Sequence, residues 1–262
     1  MDEASVRAAL SDLPLSGLRV FPRLGSTNDE ALAWVALGAP DAALVVADEQ
    51  TAGRGRSGRR WYTPAGTGLA FSLILRPSLS EEASASRLAG LGCLAVVDAL
   101  KDLGLSPRIK WPNDVLVGGR KVAGILAESV WNGMELSASV VGIGINATLG
   151  SLPAASELAY PATAVEQELK RAPNRVELLR ATLSALLQWR RRLSSAEFMT
   201  AWEERLAFRG EQVIITREGR QSLEGTLVGL DADGSLQLRM DQKTVRVQAG
   251  DVGLRPGSDR IH

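Results

Sequence analysis

Histidine and cysteine are almost missing from this 262-residue sequence: each occurs once, as His262 and Cys93. One residue of each kind cannot build the zinc sites those ligands form, nor a Ser-His or Cys-His dyad. Chemistry must rest on Lys, Arg, Asp, Asn and backbone groups. A lone thiol makes no internal disulfide, and the LGCLAV context of Cys93 marks a small core residue in a reducing compartment. There is no excess of charge of either sign, since 30 Lys and Arg balance 30 Asp and Glu, which removes the global cationic field that draws proteins to nucleic acid or membrane. Any positive patch must be local. No apolar run nears the roughly eighteen residues of a membrane span, and the opening MDEASVRAAL has no continuous apolar stretch for export, so a cytoplasmic protein is expected. What is present, 45% hydrophobic and 23% charged residues, suffices for one large domain or a large one with a small one.

The densest chemistry lies in residues 53–61, GRGRSGRRW, where three glycines and four arginines follow the strand-like LVVADEQ. Glycines let backbone approach a ligand, and arginine forks suit carboxylate or phosphate. The pattern predicts a mobile loop closing over an anion, ordered by ligand because its like-charged arginines lack an internal partner. Earlier, GSTNDEALAWVALG predicts a helix that Ser26, Thr27 or Asn28 caps and Gly38 ends, with the three polar residues also able to meet a polar ligand head. A second dense segment, PRIKWPNDVLVGGRKVAGILAE at residues 107–128, predicts two strands around a Gly118-Gly119 hairpin turn. Lys110, Lys121 and Asp114 there offer cations and a magnesium carboxylate to a phosphate-bearing substrate. The run GIGINA at 142–147 fits G-x-G-x-x-G/A, with Glu166 twenty residues after Asn146, but the broken segment that follows opens no long helix. GRGRSGRR likewise lacks the Gly-Lys-Ser/Thr of a phosphate-binding loop. Gly142 and Gly144 read better as places where a ligand lies flat on a strand.

LAFSLILRP predicts a buried strand, residues 81–103 a buried helix ended by Gly104, and Asn174 with Glu177 the capped start of another helix before one near 196–207. From Arg209-Gly210 short alternating runs, QVIIT, SLEGTLVGL, SLQLRM and TVRVQ, punctuated by Glu218-Gly219 and Asp233-Gly234, predict a small β-barrel. The expected division is 1–207 and 208–262.

The ordered set STND (26–29), GRGRSGRRW (53–61), KWPND (110–114), GRKVAGIL (119–126) and GIGIN (142–146) resembles the biotin protein ligases, over about residues 20–255. The resemblance implies an α+β fold, a mixed sheet with helices on one face like the class II synthetase core, plus a C-terminal SH3-like barrel. It implies ATP and biotin as substrates, Mg²⁺, a biotin carboxyl carrier domain as protein partner, and no membrane. Relatives with an N-terminal winged helix bind DNA; the STND motif comes too early here for one, so no DNA is expected, and a homodimer is compatible with the sequence. By motif, Ser26, Thr27, Asn28, Gln50, Gly53, Arg54, Gly55, Arg56, Lys121, Gly124, Leu126, Gly142 and Ile145 would hold biotin. Arg56, Arg59, Arg60, Trp61, Lys110, Asn113 and Asn146 would hold ATP or the adenylate. Lys121, Arg54, Arg56 and Asp114 would be catalytic, with Asp114 the candidate metal ligand. The alternative is a lipoate or octanoate ligase or transferase of the same core fold. A DNA-binding repressor is disfavoured by the neutral charge.

Overall fold

A computed structural model describes residues 1–154, 156, 158, 160–217, 220–248 and 252–256. The expected turn at Glu218-Gly219 and His262 lie outside the described residues. A short helix, α1 (Glu3–Ala9), precedes β1 (Gly17–Phe21), α2 (Thr27–Ala36), β2 (Ala43–Ala47) and β3 (Leu69–Leu75). Then come a four-residue helix α3 (Leu79–Glu82), the long α4 (Leu88–Asp102) and the strands β4 (Pro107–Lys110), β5 (Asp114–Val117), β6 (Arg120–Asn132) and β7 (Glu135–Ile145). Helices α5 (Val165–Leu169), α6 (Arg175–Arg190) and α7 (Ala196–Glu204) lead to β8 (Gln212–Arg217), β9 (Arg220–Leu230), β10 (Leu236–Met240), β11 (Lys243–Val247) and β12 (Val252–Pro256). The last strand, in GDVGLRPG, was not expected from the sequence, whose glycines and proline break its alternation.

Seven strands form one sheet in the order β1-β2-β3-β7-β6-β5-β4, with only β1 and β2 parallel. Five form a second, wholly antiparallel sheet in the order β11-β10-β9-β8-β12, the SH3-like module. Alternation sorts the large sheet's side chains. Leu69, Phe71, Leu73, Val141, Ile143 and Ile145 face one way into a core with Leu91, Leu94 and Val97 of α4 and Leu179, Leu183 and Leu186 of α6. Ala43, Val45, Ile74, Ala138 and Val140 face the other way and are covered by Ala31 and Val35 of α2. The long helices thus share one face, and α2 screens only part of the other. The uncovered part is the cleft described below.

Tight packing without side chains joins the two sheets. A Cβ on Gly90 of α4 would lie 2.6 Å from the Trp202 ring, and one on Gly234, in the β9-β10 turn, 2.6 Å from the same ring. Trp202 of α7 is therefore wedged between α4 and the barrel, while the buried Trp111 donates from Nε1 to the Gly234 carbonyl at 3.0 Å. Arg87 adds a fork to Ala232 O, at 2.7 Å from Nη2 and 3.1 Å from Nε. The strand edge at β4 is closed by the chain entering the barrel, since Ile109 N donates to Arg205 O at 2.7 Å and Ala207 N to Ile109 O at 2.8 Å. Gly90→Leu puts a better helix former in α4 but overfills this wedge, and is expected to lower the unfolding free energy by about 1–3 kcal/mol. A urea titration checks it; an unchanged midpoint would mean that the wedge yields freely.

Candidate active site

The cleft, of about 1210 Å³, opens on the sheet face away from α4 and α6. Its floor is β6 and β7, where alternation sends Gly124, Leu126, Gly142 and Gly144 toward the cleft. These glycines leave room that no side chain could share: a Cβ on Gly142 would sit 1.9 Å from Asn28 Oδ1, and one on Gly144 2.3 Å from the Trp61 indole. Trp61 lies over Gly144 and reaches to within 3.1 Å of a Cβ position on Gly124. The same alternation removes Ile145 from the cleft. Its side chain is buried in the helix-side core, which corrects its expected place against biotin. Gly53 is not a wall residue either; a Cβ there would meet Trp61 O at 2.4 Å, so it lets the chain cross itself.

At one end the N-terminus of α2 enters the site. Ser26 is the N-cap, so the sequence reading of capping holds, and Ser26, Thr27 and Asn28 are all buried cleft-lining residues. Gln50 Oε1 accepts from Thr27 N at 2.8 Å and from Thr27 Oγ1 at 3.1 Å. Ser72, buried on β3, links Thr27 Oγ1 at 2.8 Å to Asn28 Oδ1 at 2.6 Å. Asn28 Nδ2 donates onward to Leu126 O at 3.2 Å and Glu128 Oε2 at 2.7 Å. A continuous polar chain from Gln50 to Glu128 results. Ser72 and Glu128 received no role from the sequence; the signal for Ser72 was a single hydroxyl inside the apolar run LAFSLIL, and for Glu128 its even spacing from Gly124 and Leu126.

The arginine segment is a hairpin. Arg54 bridges Arg60, and Arg59 N closes on Arg56 O at 3.2 Å around Ser57 and Gly58, whose φ of 53° and 69° describe a type I′ turn. Arg54, Arg56 and Arg60 are partnered, against expectation. Arg54 Nη1 and Nη2 donate to Glu128 Oε1 and Oε2 at 2.9 and 2.7 Å, and Nη2 also reaches Asp29 Oδ1 at 2.8 Å. The hydrogen bonds to Glu128 come first among the causes that hold the Arg54 guanidinium above its ordinary value. Arg56 Nη1 donates to Asn113 Oδ1 at 3.1 Å, and Arg60 Nη2 to Thr51 O at 3.5 Å. Gly55, Arg56, Arg59, Arg60 and Trp61 line the cleft.

At the other end stand Lys110, Asp114 and Lys121. Lys121 Nζ lies 2.5 Å from Asp114 Oδ1, Lys110 Nζ 3.4 Å from Oδ2, and the Lys110 ammonium also sits 4.5 Å above the Tyr160 ring. Lys121 reaches this place through a bulge: Asp114 pairs with Gly124 and Val115 with Ala123, but Leu116 pairs with Lys121, so the register slips by one and turns Lys121 to the cleft face. Its backbone is fixed by Pro161 O and Thr163 N, at 2.8 and 2.9 Å. Burial acts to raise the Asp114 carboxyl, yet the charges and hydrogen bonds of Lys121 and Lys110 outweigh it and hold it below the usual carboxylate range. With both oxygens so engaged, Asp114 does not fit the role of magnesium ligand, and among the described residues no three His, Cys, Asp or Glu side chains gather as a metal site. Between the ends, Asn146 spends its amide nitrogen on Lys121 O and Thr163 O at 3.4 and 3.1 Å, which leaves Oδ1 as an acceptor, and Asn113 Nδ2 donates to Ile125 O at 2.7 Å. Thr216 and Leu254 of the barrel complete the wall.

An elongated cleft with a polar head end, a largely glycine floor and a pair of ammonium groups can align a small carboxylate with a nucleotide phosphate. No helix among the described residues is long and apolar enough to cross a membrane. Family models match twice: "Biotin/lipoate A/B protein ligase family" over residues 20–146, and "Biotin protein ligase C terminal domain" over residues 208–255. The chain is similar to the biotin--[acetyl-CoA-carboxylase] ligase of Paracoccus denitrificans, with 41% identity over 84% of this chain and 93% of that one. It is similar also to the ligase of the same name from Mycobacterium tuberculosis, with 34% identity over 96% of this chain and 95% of that one. Among solved structures it is similar to the biotin protein ligase of Aquifex aeolicus in complex with biotin and ATP, at a TM-score of 0.78 and 29% identity, over 93% of this chain and 100% of that one. The motifs, the seven-stranded sheet with its five-stranded companion and these similarities agree, and the chain belongs to the biotin/lipoate A/B protein ligase family.

Proposed function

We propose that the chain activates biotin with ATP to biotinyl-5′-AMP and transfers the biotinyl group to a lysine of a biotin carboxyl carrier domain. The observation that carries this reading is the pair of ammonium groups, Lys110 and Lys121, held on one buried aspartate at the end of a glycine-floored cleft. A carboxylic acid of ordinary pKa, about 4.5, is already ionised at neutral pH and needs no general base to attack the α-phosphate. The barrier is the repulsion between two anions. Positioning and electrostatic stabilisation by fixed cations lower it, and Lys121, on a clamped strand, is the group proposed to bridge the carboxylate and the α-phosphate as charge gathers there. The carboxylate oxygen forms the bond to phosphorus and pyrophosphate leaves with the electron pair. In the second step the neutral amine of the carrier lysine attacks the acyl carbon, its proton is lost to solvent, and AMP leaves. Magnesium enters as part of the nucleotide substrate.

The remaining assignments follow the polarity of the cleft. The chain from Gln50 through Thr27, Ser72 and Asn28 offers both donors and acceptors, which a ureido ring needs and a dithiolane or alkyl chain would leave unused; this supports biotin over lipoate or octanoate. Gly124, Leu126, Gly142 and Trp61 would cover the bicycle and tail, and Arg56, Arg59, Arg60, Asn113 and the Oδ1 of Asn146 the nucleotide. The Arg hairpin and Trp61 would keep water from the mixed anhydride between the two steps.

Biotin-dependent release of pyrophosphate from ATP tests the reading, and its absence would overturn it. Lys121→Ala is expected to slow that release by about two orders of magnitude, the scale of one lost electrostatic donor. Biotin should still bind in the absence of ATP, since the polar head end is untouched. Calorimetry beside the pyrophosphate assay separates the two; a near-normal rate, or lost biotin binding in a folded protein, would contradict the role.

A further inference from the structure

The arginine hairpin is tied to the sheet at one point by a carboxylate outside every motif named above. We propose that Glu128 is a positioning residue: it latches the hairpin through Arg54 and so sets how long an acyl-adenylate stays in the closed cleft. The second half of this statement rests on the ligase reading; the first does not.

Glu128 stands on β6 two residues beyond Leu126 and four beyond Gly124, so its side chain rises from the same cleft-facing row. Both of its oxygens are used. Oε1 accepts from Arg54 Nη1 at 2.9 Å, and Oε2 from Arg54 Nη2 and from Asn28 Nδ2, each at 2.7 Å. That is a bidentate fork, whose planar geometry fixes the arginine's orientation in a way that a single ion pair does not. Asp29 takes a further bond from Nη2, so one arginine joins β6, α2 and the hairpin. Exposed ion pairs are worth little, but this one shares its acceptor with the buried Asn28 and joins the hairpin directly to the sheet.

Two consequences follow for the site. Arg54 faces two carboxylates, so its charge is already answered, and phosphate is left to the other arginines of the hairpin and the lysines at the far end of the cleft. Its Nε, moreover, is buried with no partner. The Glu128 fork fixes the plane of the guanidinium in which that donor lies. The latch therefore has two effects that a packing residue would not combine: it holds the hairpin to the sheet and fixes the plane of the Arg54 guanidinium.

The test uses the full chain with Glu128→Ala, the near-isosteric Glu128→Gln, Arg54→Ala and the double variant. Trypsin is applied without ligand, and cleavage after Arg56, Arg59 or Arg60 is followed by mass spectrometry. Release of biotinyl-adenylate, preformed from biotin and ATP, is timed separately. Glu128→Ala is expected to be cut in the hairpin about tenfold faster than the unaltered chain and to release the adenylate about tenfold faster, on the scale of a lost charge-assisted hydrogen bond. Glu128→Gln, which keeps an acceptor, should fall between. The double variant should release no faster than Arg54→Ala, because both substitutions open one latch. Unaltered cleavage and release in Glu128→Ala, or losses that add in the double variant, would overturn the proposal. An unaltered chain that forms no adenylate would refute the ligase reading, while the trypsin arm would still decide whether the latch exists.

Discussion

Two ammonium groups can stand side by side at the end of the cleft only because a carboxylate is buried between them. Asp114 is 8% exposed and Lys110 5%, and water does little to separate their charges. Burial alone would raise the Asp114 carboxyl; the two lysines outweigh it and hold the carboxyl below its usual range, and it in turn suppresses their mutual repulsion. Removing the aspartate would leave two like charges uncompensated, at a cost of about 3–5 kcal/mol, the scale of breaking a buried pair. Much of the surrounding architecture serves this arrangement. The β4-β5 hairpin sets Lys110 opposite Asp114, the slip in register between β5 and β6 turns Lys121 inward, and the segment at 161–163 pins the Lys121 backbone. Cations fixed in this way need no reorganisation when phosphate arrives.

A second constraint is space. Two antiparallel strands meet at Gly124 and Gly144, with Gly142 beside them, so that three of the four floor positions carry no side chain. The same device works on the opposite side of the molecule, where Gly90 and Gly234 accept the ring of Trp202 and bring the barrel against α4. The barrel is thereby held close enough for Thr216 and Leu254 to form part of the cleft wall. Small residues thus fix both the floor of the site and the approach of the module that helps to enclose it.

The motifs of the site were legible in the sequence because each is a local turn or cap. Ser26 caps α2 as its neighbours suggested, and Gly118 and Gly119 take the positive φ that a two-residue hairpin needs, whereas the arginine segment, read as a mobile loop, folds back on itself around Gly58. What escaped the reading depends on contacts between distant parts of the chain. The arginines were expected to lack partners, yet Glu128 lies 74 residues from Arg54. Asp114 was offered to a metal because its two lysines could not be seen to converge on it. The bulge that turns Lys121 inward leaves no mark in GRKVAGIL. Ile145 is a different case, since strand alternation from Gly142 and Gly144 already places it on the opposite face; a motif match overrode a periodicity that was correct.

Transfer of the acyl group to protein tests the account most directly, because it requires the head-group network, the paired cations and the closed cleft to act in sequence. The protein should be incubated with labelled biotin, ATP, Mg²⁺ and the unmodified carrier domain of a biotin-dependent carboxylase, beside a parallel sample with labelled octanoate. ATP-dependent label on one lysine of the carrier from biotin alone is the result predicted. Label from octanoate and none from biotin, or no ATP-dependent label on the carrier from either, would contradict it.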